Sequence, residues 1–382
     1  MPTVPNAGAA TQAPPAPLVP FSSAAHEHTE PFVDVTVTPA TAAQNLGPFD
    51  VPAYGFARNI ILEITTTTPG ALGGGALNAD YPFNIFQALS LNDVNGAPIF
   101  GPLDGFAALQ SNIWGGYAFR GDPRTGPGFS GVITDTRLFL RVPVEIAHHD
   151  GFGSLANQNA AASYKLNLTV NTLANLVTGG APTAPVLRIR AYLEAWSLPD
   201  AVDMVGRPQA QFPPVHGTTQ FWSQNIRPIS VGQNTTPIVR QGNLIRNLVF
   251  IARNASGVRV DTVFPDPAQF IWDARVLLTD TQAYRIQVAH ERAATNSARD
   301  TGVFIYGFNH SEKNQLGDDT PMLWLPTVQA TRMELQGNSA VAGTLQIMMN
   351  DVAPAEVVPT ERYVEQSETG FHPQVGTPTA QA

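Results

Sequence analysis

Along much of this chain, apolar and polar residues alternate at every second position. Residues 136–146, TRLFLRVPVEI, place Leu138, Leu140, Val142 and Val144 on one side. Residues 164–173 do the same with Leu166, Leu168 and Val170, and 186–197 with Leu187, Ile189, Ala191 and Leu193. A period of two is that of a strand with one buried face. Polar partners on the other face point to antiparallel sheets. The same reading predicts strands at 31–39, 58–68 and 83–93. Further along it predicts them at 219–229, 243–254, 269–280, 303–309, 331–337 and 343–351. One stretch, 279–296, fits a helix, with Thr279 or Asp280 as cap and Ala283, Ile286, Val288 and Ala289 as a stripe.

The breaks between strands divide the chain. Residues 197–217 are proline-rich and weakly periodic, which reads as a connection between two units. Residues 1–30 and the end of the chain are rich in Pro, Ala, Ser and Thr and read as arms. Each half has roughly the strand content of an eight-stranded jelly roll. The expected fold is therefore all-β: two tandem eight-stranded antiparallel jelly rolls (β-sandwiches) with long loops, one or two short helices and flexible terminal arms. The expected division is an N-terminal arm at 1–30, a first jelly roll at 31–200, a connector at 201–217, a second jelly roll at 218–353 and a C-terminal tail at 354–382.

A short repeat sharpens this. Residues 55–64 read GFARNIILEI and residues 242–251 read GNLIRNLVFI. Each has a glycine, then Arg-Asn, then aliphatic residues. In the order of strands they mark equivalent places, so Arg58 and Arg246 are expected in the same sheet position, one in each half.

Composition changes the picture by exclusion. The 382 residues include 32 Gly and 33 Pro, a density that long helices do not survive. Charged residues are 13%, about half the usual share. Net charge is −9, which disfavours direct contact with nucleic acid. There is no cysteine, so disulfides, thiolate metal sites and Cys nucleophiles are excluded. No secretory signal is visible in the first thirty residues, and no apolar run reaches the ~20 residues of a membrane helix.

The candidate chemistry is thin. His26 and His28 have chelating spacing but lie in the arm. His148 and His149 are adjacent and would point to opposite faces of a strand. His216, His290, His310 and His372 are scattered. Gly73, Gly74 and Gly75 lack the Lys-Ser/Thr of a phosphate loop. Ser22, Ser23, Ser130 and Ser154 sit in no nucleophile elbow. Asp80, Asp93, Asp104 and Asp122 are spread through loops without a spacing that demands glycoside hydrolysis. Trp114, Tyr117 and Phe119 could stack on a sugar, or bury an interface. Trp196, Trp222, Trp272 and Trp324 are expected in the core. The reading is of a non-enzyme with no catalytic, cofactor-binding or metal residues and no cofactor.

Some stretches resemble a known family. YGFAR leads into a strand, ADYPF follows, then DVNG, then GPLDGF. LRVPVEIAHHDGFGSLANQNAAASYKLNL and WLPTVQATRMELQG fit as well. Together, over about 31–353, they resemble the double jelly-roll major capsid proteins of tectivirus-like icosahedral double-stranded DNA phages. The resemblance implies a virion protein, made in the host cytoplasm, that assembles as pseudo-hexagonal homotrimers. It implies neighbouring capsomers, penton and minor capsid proteins as partners, and an internal membrane beneath the shell. The acidic arm (Glu27, Glu30) does not suit DNA, and any membrane contact through it must rest on Leu18, Val19 and Phe21. Two other readings share the fold: a carbohydrate-binding or carbohydrate-active double β-sandwich protein, and a host-recognition spike.

Overall fold

The computed structural model describes residues 18–19, 24–117, 127–129, 137–146, 151–200, 202, 204–207, 210–211, 219–239, 242–273, 275–292, 299–308, 324–328 and 330–353. Its first sandwich is built from β1 (Glu27–Val37), β2 (Gln44–Asp50), β3 (Phe56–Thr68), β4 (Phe86–Asn92), β5 (Pro98–Leu103), β6 (Arg137–Pro143), β7 (Lys165–Val170) and β8 (Val186–Trp196). Helix α1 (Gly105–Trp114) follows β5. The second sandwich is built from β9 (Gln220–Ile229), β10 (Gly232–Pro237), β11 (Leu244–Asn254), β12 (Ala268–Trp272), β13 (Arg275–Asp280), β14 (Val303–Gly307), β15 (Met333–Ser339) and β16 (Gly343–Val352). Helix α2 (Gln282–Arg292) follows β13.

The strand orders of the two sandwiches are the same. In the first, one sheet runs β1-β8-β3-β6 and the other β2-β7-β4-β5. In the second they run β9-β16-β11-β14 and β10-β15-β12-β13. Adding eight to each strand number converts one into the other. This is a pair of jelly rolls, and the fold matches the expectation. The sandwiches also join edge to edge. β5 pairs with β9 in parallel at Phe100 and Trp222, so one sheet continues from the first sandwich into the second.

Alternation explains the interiors. In the first sandwich Leu62 pairs with Leu140 and Ala191, all fully buried. In the second, Phe250 pairs with Phe304 and Ile347. The second core is aromatic: Phe264 stacks on Phe304 at 4.0 Å and Phe250 meets Tyr306 edge-on. Each aliphatic or aromatic side chain so buried is worth about 1.5–3 kcal/mol of transfer free energy. Ordering the chain consumes most of that gain.

Several expectations shift. β1 begins at Glu27, so the end of the expected arm is part of a sheet. Leu18–Val19 pairs in parallel with Ala210–Gln211. β2, β5 and β10 were not predicted. They read QNLGPFD, PIFGPL and GQNTTP, without alternation. The predicted strand at 269–280 is two strands. Asp273 turns between them at φ 52, and its Oδ1 accepts from the amides of Thr331 and Arg332. The C-terminal tail from 354 lies outside the described residues, as does most of the connector.

Candidate functional site at the seam between the sandwiches

Helix α1 is the element that locks the two halves together. Asp104 caps it, its Oδ1 accepting from the Ala107 amide at 2.8 Å. Gly115 and Gly116 end it. Its polar face grips its own sandwich: Asn112 donates to the Arg141 carbonyl at 2.7 Å and accepts from the Arg141 amide at 2.8 Å. Phe106, Gln110 and Trp114, one turn apart, face the other sandwich. The Arg259 guanidinium lies 4.2 Å over the Phe106 ring. Gln110 donates to Asp300 at 2.8 Å. Trp114 is 1% exposed, in one apolar cluster with Val249, Ile251, Val303, Ile305 and Met348. The outer face of the β9–β16–β11–β14 sheet is thus buried under α1, which is why β11 is buried without a break from Ile245 to Ala252.

The two Arg-Asn motifs sit where the repeat places them. β3 lies between β8 and β6, and β11 between β16 and β14. Both arginines occupy a β-bulge. Glu194 and Ala195 on β8 pair with Asn59 and Ala57, leaving Arg58 as the extra residue. Asp351 and Asn350 on β16 pair with Ile245 and Asn247, leaving Arg246 as the extra residue. A bulge re-aims its side chain. The carbonyl of each bulged arginine is taken by the segment after β6 or β14: Glu145 donates to Arg58 at 2.8 Å, and Phe308 to Arg246 at 2.9 Å.

Buried hydrogen bonds connect the two arginines. Arg58 Nε donates to Glu145 Oε2 at 3.0 Å, and its guanidinium stacks 4.1 Å over Trp196. Glu145 is fully buried and also accepts from Trp196 Nε1. Burial opposes the Arg58 charge, but the Glu145 carboxylate, with Glu27, outweighs it and holds the Arg58 pKa above its ordinary value. The Glu145 carbonyl accepts from the Tyr117 hydroxyl and from Gln220 at 3.0 Å. Gln220 Oε1 in turn accepts from Arg246 at 3.2 Å, Asn350 at 3.0 Å and Trp222 at 3.1 Å. Arg246 also donates to the Gly115 carbonyl at the end of α1. A second tie runs through Asp80, which accepts from Arg253 at 2.9 Å and Arg259 at 2.6 Å. A third joins Gln346 to Asp104 at 2.7 Å.

The remaining candidates are dispersed. Trp114 and Tyr117 are buried, so they offer no sugar-stacking platform, and Phe119 lies outside the described residues. Trp196, Trp222 and Trp324 are buried and Trp272 half-buried. Asp80 and Asp104 serve the seam, Asp93 accepts from the Val94 amide in a turn, and Asp122 lies outside the described residues. Gly73 and Gly74 form a turn with positive φ. Ser154 donates to the Gly151 carbonyl; Ser22, Ser23 and Ser130 lie outside the described residues. His26 contacts Asp200, and His28 stacks on Tyr54. His148, His149, His216, His310 and His372 lie outside the described residues. Among the described residues, no group of three or more His, Asp or Glu could hold a metal ion. No helix among them is long and apolar enough to cross a membrane. The seam itself was missed in the sequence, apart from the repeat that marks its two arginines. Its chemistry is that of a rigid joint: carboxylates are spent on arginines, and amides on carbonyls.

No protein-family model matches the chain, and among curated proteins no match is found. Solved structures are similar in fold. The STIV major capsid protein matches with TM-score 0.58 at 13% identity, over 86% of this chain and 97% of that one. The major capsid protein of bacteriophage PM2 matches with TM-score 0.53 at 9% identity, again over 86% and 97%. PBCV-1 VP54, fitted into a reconstruction of the virophage Sputnik, matches with TM-score 0.54 at 11% identity over 86% and 94%. The fold of this chain is the double jelly roll of these capsid proteins.

Proposed function

We propose that this chain is the major capsid protein of a tectivirus-like icosahedral virus. One observation carries the reading. Two sandwiches of identical strand order, locked edge to edge in one chain, match virus capsid proteins over 97% of the STIV protein's length. A chain with two equivalent units can fill a near-sixfold position as a trimer. In this reading the first jelly roll spans 31–200, the connector 201–217 and the second 218–353, with the arm and tail available to neighbours. The homotrimers meet neighbouring capsomers, pentons and minor capsid proteins in a shell over an internal membrane, in a bacteriophage virion made in the host cytoplasm. The protein is not an enzyme and does not contact nucleic acid directly.

Mass photometry of the purified protein, followed by electron microscopy, tests this. Trimers that form hexagonal tiles are expected. A monomer that binds glycans would return the protein to the carbohydrate-binding class.

A further inference from the structure

The seam inside the chain has an unused counterpart. Within the chain, the β5 edge and α1 of the first sandwich meet the β9 edge and the outer face of β9–β16–β11–β14. The equivalent surfaces are the β13 edge and α2 on the second sandwich, and the β1 edge and outer face of β1–β8–β3–β6 on the first. Among the described residues, no strand pairs with the outer edge of β13 or of β1.

The two helices are mounted alike. α1 bonds the backbone of Arg141, which pairs with Ile61 on β3. In α2, Arg285 donates to the carbonyl of Ile305, which pairs with Val249 on β11. Counted from the Arg-Asn motifs, Ile61 and Val249 are the same position, so both helices hold the same rung. α1 goes on to bury Trp114 in the neighbouring sandwich. The first turn of α2 is open: Tyr284 is 55% exposed, and Val276 on the adjoining β13 is 51% exposed.

The receiving face on the first sandwich is charged. Arg188 pairs with Asp34 at 2.5 Å, and Arg190 bridges Asp34 at 3.7 Å and Glu63 at 3.6 Å. Arg141 lies 3.7 Å from Glu194. We infer that this ion-paired face docks α2 and β13 of a second copy of the chain. The inference rests on the capsid reading and names its trimer contact. A step made first within a chain and then between chains is heterologous, and a near-sixfold turn closes it after three chains. The two kinds of seam then differ in chemistry. The internal one joins a buried apolar cluster around Trp114 to fully buried hydrogen bonds and is permanent. The one between chains is laid on a charge ladder that is exposed at Asp34 and Arg188, and it weakens with salt.

The absence of cysteine makes the test clean. Thr65 on β3 is equivalent to Arg253, whose guanidinium lies 5.7 Å from Phe106 near the start of α1. Tyr284 is near the start of α2. Two chains, one Thr65→Cys and the other Tyr284→Cys, are co-expressed with different tags and treated with a short bismaleimide. A covalent heterodimer is expected on a denaturing gel, absent when either variant is expressed alone. Trimers that give no such product overturn the inference and leave the capsid reading standing. The absence of trimers, judged by mass photometry of the unmodified protein, overturns both. A salt series adds a second readout. At about 1 M salt, where the screening length is ~3 Å, the trimer should be lost while the fluorescence of buried Trp114 and Trp222 is unchanged. A trimer that persists there rules out the charged seam.

Discussion

β3 and β11 are the same strand built for two different neighbours. Aligned on Arg58 and Arg246, their inward positions match in character: Ile60 with Leu248, Leu62 with Phe250, Ile64 with Ala252. Their outward positions part. Asn59 and Asn247 agree, and so do Ile61 and Val249, but Glu63 stands where the second strand has Ile251. On neighbouring strands the rung of Ile61 and Val249 holds Arg141 and Tyr192 in the first sandwich and Ile305 and Met348 in the second. The second strand is covered by α1. The first is topped by ion pairs. Two copies of one fold in a chain are thus constrained alike inside, where each must fill a core. Outside they are constrained by whatever each one meets.

Exchanging the differing residue breaks this comparison most sharply. Ile251→Glu places a carboxylate beneath α1 with no water to solvate it. It should cost more than about 4 kcal/mol and appear as loss of soluble folded protein. The reciprocal Glu63→Ile removes the acceptor of the Tyr192 hydroxyl, 2.9 Å away, on a face that keeps some access to water. It should cost less than about 1.5 kcal/mol. Soluble yield measures the first, and urea midpoints followed by tryptophan fluorescence measure the second and any folded fraction of the first. Equal penalties would mean that the two outer faces are alike after all.

Next in size is Arg58→Met. It leaves Glu145, which is fully buried, without its guanidinium. A loss of roughly 3–5 kcal/mol is expected. Adding Glu145→Gln to the same chain should recover part of it, because the stranded charge is then removed. A double variant no more stable than Arg58→Met would show that the stacking of Arg58 on Trp196, not the ion pair, holds this joint.

The comparison also shows what was legible in the sequence. β3, β6, β7, β8, β11 and β16 were readable because each must keep apolar side chains on an inner face. β2 and β10 were not, because these two edge strands carry no apolar alternation. With one side unpaired, they tolerate Gly47-Pro48 in the first case and a polar run in the second. β5 carries two prolines and reads as a loop, yet it forms the junction to β9. α1 was missed because it is buried on opposite sides and so shows no single apolar stripe; Asp104 ahead of it and Gly115-Gly116 behind it were the available signals. The Arg-Asn repeat located the seam without revealing it. That the arginine is the extra residue of a bulge depends on the partner strand, and Glu145 lies 87 residues from Arg58.

The smallest expected effect tests whether the charged face behaves as an exposed one. The Arg188 hydrogen bond holds the Asp34 carboxyl below its ordinary pKa. A carboxylate lowered on folding adds stability above its unfolded pKa, ~3.9 for aspartate. That contribution is lost as pH falls through the lower, folded value. Asp34→Asn should therefore sit slightly below the unmodified protein in urea midpoint near neutral pH. The gap should close on acidification through the range below ~4. The pair is exposed and screened, so added salt should close the gap as well. A gap that survives both acid and salt would assign Asp34 a buried structural role, like that of Glu145, and the two faces of the comparison would no longer differ in kind.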